Sequence, residues 1–117
     1  MGAALSNDGS SLFAGGEIDL MSSNPTGVLL KITTASGTIT ATNLGQIAGT
    51  AEMAFDSSGT LYGISGGSVV KVNVTTMVVT SLNIAATHLT LDAVNGIMYI
   101  SNGTNAAGMY DLSGNII

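Results

Sequence analysis

Glu52 to Leu82 reads EMAFDSSGTLYGISGGSVVKVNVTTMVVTSL. Met53-Ala54-Phe55 is a short apolar run, and Asp56-Ser57-Ser58-Gly59 after it has turn composition, ending on a residue tolerant of positive φ. Thr60 to Ile64 is a second run, rich in β-formers, and Ser65-Gly66-Gly67-Ser68 a second turn. In Val69 to Val74 the valines at 70, 72 and 74 alternate with Lys71 and Asn73. Period two predicts a strand with one buried face and its lysine toward solvent. Thr75-Thr76 interrupts the pattern and Met77 to Leu82 resumes it. Four strands in so short a stretch leave no room for a helix. Neighbours joined by tight turns pair antiparallel, because a parallel crossover needs about a dozen residues or more.

The same text occurs on either side. Leu12-Phe13, Leu61-Tyr62 and Met98-Tyr99 correspond, with the second member of each pair 49 and then 37 residues from the last. A four-stranded propeller blade occupies roughly 40–45 residues. The turn before each pair recurs as Asn7-Asp8-Gly9-Ser10, Asp56-Ser57-Ser58-Gly59 and Asp92-Ala93-Val94-Asn95-Gly96. The third strand recurs as Val28 to Ile32, Val69 to Val72 and Gly108 to Tyr110; the fourth as Thr38 to Thr42, Val78 to Leu82 and Ile116-Ile117. The division is therefore 1–45, 46–84 and 85–117 in one continuous domain, with residues 15–26 an insertion in the first copy.

Tyr99-Ile100-Ser101-Asn102 stands close to the tetrapeptide of the YVTN repeat, and Phe55 to Tyr62 looks like the start of such a blade. Nearly the whole chain thus resembles the β-propeller repeat families of the YVTN, NHL and WD40-like kind. The Trp-Asp dipeptide of the last is missing, as there is no tryptophan. The resemblance implies an all-β fold of consecutive four-stranded antiparallel sheets, about three blades per chain. A β-sandwich is the alternative. Propellers have four to eight blades, so three leave unpaired strand edges. The expected partners are other copies of the chain or the remaining blades of a larger propeller.

Composition bounds the function. Of 117 residues, 45% are hydrophobic and only 8% charged, against about a quarter charged in ordinary soluble domains. Ser, Thr and Asn supply the polarity, a composition associated with secreted and cell-surface proteins, so an extracellular setting is the expectation. Two basic against seven acidic residues offer no footprint for nucleic acid or for an anionic membrane. With no cysteine, no arginine, one histidine and no Gly-x-Ser-x-Gly elbow, the chain lacks the usual catalytic constellations, and no cofactor is expected. The Gly-rich turns lie between strands and do not lead into a helix, which excludes a phosphate cradle.

Several residues remain candidates for binding. Glu17 and Asp19 lie in the insertion, one residue apart, and would face one side of a strand; calcium, a glycan or a partner are conceivable there, beside the plain reading of a solvated loop. Glu52 and His88 each stand four residues before a turn aspartate, with Ala3 in the first copy. The resemblance places them at the rim of the channel, where a carboxylate and an imidazole could hold a ligand or exchange a proton. An ordinary polar rim is the plain reading. Asn7, Asp56 and Asp92 share a turn position. Calcium takes six to eight oxygens and no Asp-x-Asp-x-Asp loop is present, so Asx turns are expected. Lys31 and Lys71 are repeat-equivalent and read as solubilising. Asn73-Val74-Thr75 and Asn102-Gly103-Thr104 match the glycosylation pattern at a frequency such a composition produces by chance. Met1-Gly2 fits a myristoylation start, though one acyl chain without a basic patch anchors poorly.

Overall fold

A computed structural model of the chain describes residues 2–18, 26–35, 38–46, 51–103 and 107–117. Eleven strands and no helix occur among them: β1 Ala3–Leu5, β2 Ser11–Ile18, β3 Thr26–Ala35, β4 Thr38–Gln46, β5 Ala51–Phe55, β6 Leu61–Ser65, β7 Ser68–Val72, β8 Val79–Ala85, β9 His88–Asp92, β10 Ile97–Ser101 and β11 Ala107–Asp111. They form three antiparallel meanders, β1-β2-β3-β4, β5-β6-β7-β8 and β9-β10-β11. The expected fourth strand of the last is reduced to a single bridge between Tyr110 and Ile116 and the bond from Ile117 N–H to the Met109 carbonyl. The fold is all-β.

The first sheet is longer than the repeat predicts. β2 and β3 continue their ladder through Glu17–Gly27 and Ile18–Thr26. Gly15 to Ile18 and Thr26 are thus strand residues of an extended hairpin, and Asp19 lies outside the described residues. The two added pairs lie beyond Gly16–Val28, the counterpart of the Ser65–Ser68 pair at which β6 and β7 turn.

Ladder registers establish which residues are equivalent. Phe13 lies opposite Ala4 and Lys31, Tyr62 opposite Ala54 and Lys71, Tyr99 opposite Thr90 and Met109. One position earlier, Leu12 lies between Leu5 and Ile32, Leu61 between Phe55 and Val72, Met98 between Leu91 and Tyr110. Since side chains alternate across a strand, each sheet has a face carrying Phe13, Tyr62 or Tyr99, here the aromatic face. The other, carrying Leu12, Leu61 or Met98, is the aliphatic face.

The sheets stack in one sense. The aromatic face of the first packs on the aliphatic face of the second, gathering Phe13 and Leu29 with Met53, Phe55, Leu61, Val70 and Val72. Phe13 meets Phe55 edge-on, with ring centroids 5.1 Å apart at 68°, the geometry the ring quadrupoles favour. The aromatic face of the second sheet packs in turn on the aliphatic face of the third, joining Tyr62, Ile64 and Val69 to Leu89, Met98 and Ile100. The Tyr62 hydroxyl donates to the Leu112 carbonyl at 3.3 Å.

This stacking revises the reading of β7. Val70 and Val72 are buried on one side and Val69 on the other, so both faces of the middle sheet are covered. Lys71 and Lys31 are half-buried on the aromatic faces and do not point freely into solvent. The Lys31 Nζ sits over the Phe13 ring, 5.9 Å from its centroid, within cation–π range.

Tyr62→Ala removes a ring that is 3% exposed and is expected to cost about 3–5 kcal/mol in denaturant unfolding. Val78→Ser, at a site 59% exposed, is expected to stay within about 0.5 kcal/mol of wild type. Equal effects would contradict the buried placement.

Candidate functional site

The turns at one end of the meanders are built on side-chain oxygens. Asp56 Oδ1 accepts from Ser58 N–H, Ser58 Oγ and Thr60 N–H at 2.9, 2.7 and 2.9 Å. Asp92 Oδ1 accepts from Val94 and Asn95 N–H, and Asp111 Oδ1 from Ser113 and Asn115 N–H. These are Asx turns, whose carboxylates are spent on their own backbone. Asp8 bonds Ser6 and Ser10 in the same local way, and its carboxyl is lowered to about 2, chiefly by the Ser10 hydroxyl. Asp92 is held below the usual carboxylate range by the Asn95 amide first, and Asp111 by the Asn115 backbone N–H first.

Asn7 does not share the position of Asp56 and Asp92. The turn bond from Gly59 N–H goes to the Asp56 carbonyl and that from Gly96 N–H to the Asp92 carbonyl, whereas Gly9 N–H bonds Ser6. Ser6 is therefore the equivalent residue, and its Oγ accepts from Ser11 N–H. Asn7 instead reaches the next sheet, its amide donating to the Asp56 carbonyl at 2.7 Å. The Asp111-Leu112-Ser113-Gly114-Asn115 turn was legible as a copy of Asp56-Ser57-Ser58-Gly59-Thr60, but it follows a third strand and escapes a search keyed to first strands. Asn73 makes the matching turn in the second sheet, its Oδ1 accepting from Thr75 and Thr76 N–H.

At the opposite end, Glu52 and His88 come together. Glu52 Oε1 lies 2.8 Å from His88 Nδ1, and Oε2 accepts from Leu89 N–H at 2.6 Å. Their side chains are 37% and 69% exposed. Equal counting from the turn aspartates had suggested one repeat position for the two, and the ladder separates them. Ala54 pairs with Tyr62 but Ala51 with Ile64, so β5 holds one extra residue there. His88 pairs with Ser101, in the manner of Ala51. Glu52 belongs to the bulge and has φ +52°, a conformation that costs an L-residue about 1–2 kcal/mol. The bulge re-aims its side chain from its own sheet toward β9, which lies beside β5.

Both carboxylate oxygens of Glu52 are thus engaged by the third sheet. Its carboxyl is held below its ordinary value, first by the His88 ring, then by Leu89 N–H. The pair works as a latch between sheets. A neutral His88 whose Nδ1–H donates to the carboxylate presents Nε2 as a single acceptor at this exposed end of the sheet. No group of three or more His, Cys, Asp or Glu that could hold a metal ion occurs among the described residues. Glu17 lies in β2 opposite Gly27, on a different sheet from the latch; Asp19 falls outside the described residues.

Comparison with protein-family models, curated proteins and solved structures gave no match to this chain.

Glu52→Gln is expected to lower stability by roughly 0.5–1 kcal/mol near neutral pH, a figure reduced for solvent exposure. Because the folded carboxyl is lowered from 4.5, its contribution is complete above that value and lost as pH falls through the lowered one. The wild-type and Gln unfolding curves should therefore converge in acid. A gap that stays constant to low pH would contradict the latch.

Proposed function

We propose that the chain is a non-enzymatic structural module, three blade-like sheets of a β-propeller that associate with other protein through their uncovered faces and edges. The observation that carries this reading is a comparison of equivalent residues. On the aliphatic faces Leu12 is 37% exposed, while Leu61 and Met98 are at 0%. On the aromatic faces Phe13 and Tyr62 are at 3%, and Tyr99 is at 43%. Each residue is buried where a sheet follows on its side and bare where the stack ends. Stacked four-stranded units around an inner row of first strands are the arrangement of propeller blades, and β1, β5 and β9 lie side by side here. Solvent-lying outer strands, such as β8 with Val79, Thr80 and Ser81 exposed, offer main-chain groups for further pairing.

The chemistry supports binding over catalysis. Among the described residues, the turn carboxylates are committed to their own backbone and the Glu52 carboxylate to holding β9. The Thr- and Ser-rich, charge-poor composition supports an extracellular setting.

Sedimentation velocity over a wide concentration range tests the reading. Species heavier than the 11.6 kDa chain are expected as concentration rises. A chain that remains single, and that instead binds glycans on an array through Glu17 and Asp19, would overturn it.

A further inference from the structure

The two uncovered faces are not alike. The first sheet leaves its aliphatic face open, with Leu5 at 59%, Leu12 at 37% and Ile39 at 74% exposed, all directed away from the second sheet by the alternation of the ladder. The third sheet leaves its aromatic face open, with Tyr99 at 43% and Met109 at 40% exposed, and Ile117 bonded beside Met109 is 64% exposed. An open groove of about 660 Å³ runs along this second face, lined by Tyr99, Met109 and Ile117 with His88 and Thr90. Contiguous exposed apolar side chains of this kind mark contact surfaces.

These are the two halves of a contact the chain already makes twice. Within the stack an aromatic face meets an aliphatic face at both junctions. What remains at the ends is one aromatic face and one aliphatic face, pointing in opposite directions along the stack. A contact between unlike patches of one chain is heterologous; it forms a ring if the rotation closes and a filament if it does not. On the third aromatic face a methionine takes the position that lysine holds on the other two. Lys31 and Lys71 stand opposite Phe13 and Tyr62, whereas Met109 stands opposite Tyr99. The lysines thus stand on the faces that other sheets cover, and the uncovered face carries Met109 at that position, with Asp92 and Asp111 at one end and His88 at the other.

Building on the proposed blade arrangement, we infer that the Tyr99–Met109 face of the third sheet docks on the Leu5–Leu12 face of the first sheet of a second copy, head to tail. Two such contacts join two chains into one ring of six sheets. A ring of six sheets falls within the four to eight blades of closed propellers. The occupant of each open face is thus the same kind of surface that covers Phe13 and Met98 inside the chain.

Heterologous docking has a complementation signature. Leu5→Glu with Leu12→Glu spoils only the aliphatic end; Tyr99→Glu with Met109→Glu spoils only the aromatic end. The four residues are exposed enough for the sheets to fold around the change, which circular dichroism checks. Ile39→Glu and Ile117→Glu, at still more exposed sites, replace either pair that fails to fold. By analytical ultracentrifugation the wild type is expected at twice 11.6 kDa and each variant alone as a single chain. The two variants mixed in equal amounts are expected to form a pair, through their one intact aromatic and one intact aliphatic face. A wild-type assembly of another size, variants that still associate alone, or a mixture that stays single overturns the head-to-tail contact while leaving association itself in place. A wild type that never associates overturns both this contact and the proposed assembly.

Discussion

Everything in this molecule depends on one contact used repeatedly, the aromatic face of one sheet against the aliphatic face of the next. A small sheet is stable in water only when it has a hydrophobic face to bury. Here the second sheet is covered on both sides and supplies most of the fully buried residues, Leu61, Val69 and Val72 among them. The first and third sheets are each covered on one side. Each packs on the middle sheet, and their outer faces leave Leu12, Tyr99 and Met109 open. The fold and the proposed assembly thus follow from the same unlike pairing of faces.

Polar groups play a subordinate and local part. At one end the aspartates close turns on their own backbone, which costs no reach and depends on no neighbour. At the other end Glu52 is spent between sheets. A strained backbone conformation at φ +52° is offset by two hydrogen bonds to β9, a trade that makes sense only where holding two sheets at a fixed separation matters. Asn7 does the same at the turn end, tying the first sheet to the Asp56 carbonyl. Each junction therefore has an apolar middle and a polar tie near one end. Such ties fix the relative placement of the sheets more than they add to their stability, since exposed pairs contribute little.

Much of this was legible in the residues. Thr60 to Val72 declares its strands by alternation and its turns by Asp, Ser and Gly, and the Leu-Phe, Leu-Tyr and Met-Tyr pairs align the three copies in the register later seen in the ladders. The turn at Ser6 was misread by one residue, because Asn7 looks more like an aspartate than Ser6 does, although a serine hydroxyl serves the same turn. Glu52 and His88 could be singled out as polar residues at the same distance before a turn. Their equivalence failed on the bulge in β5, since an inserted residue changes the ladder without changing the count to Asp56. The latch depends on that insertion, which is invisible to counting.

The order of residues along the chain determined strand, turn and repeat, because alternation, β-branching and the φ tolerance of glycine act over two to four neighbours. It also determined which side chains share a face. Only the tertiary structure decided which of those faces is covered: Tyr62 and Tyr99 have equivalent ladder neighbours and opposite fates. Burial is set by whether another sheet lies across the gap, and no local pattern encodes that. The reach of Glu52 to Leu89 and the half-burial of Lys31 beside Phe13 belong to the same category, each depending on surfaces that meet only when the sheets are stacked.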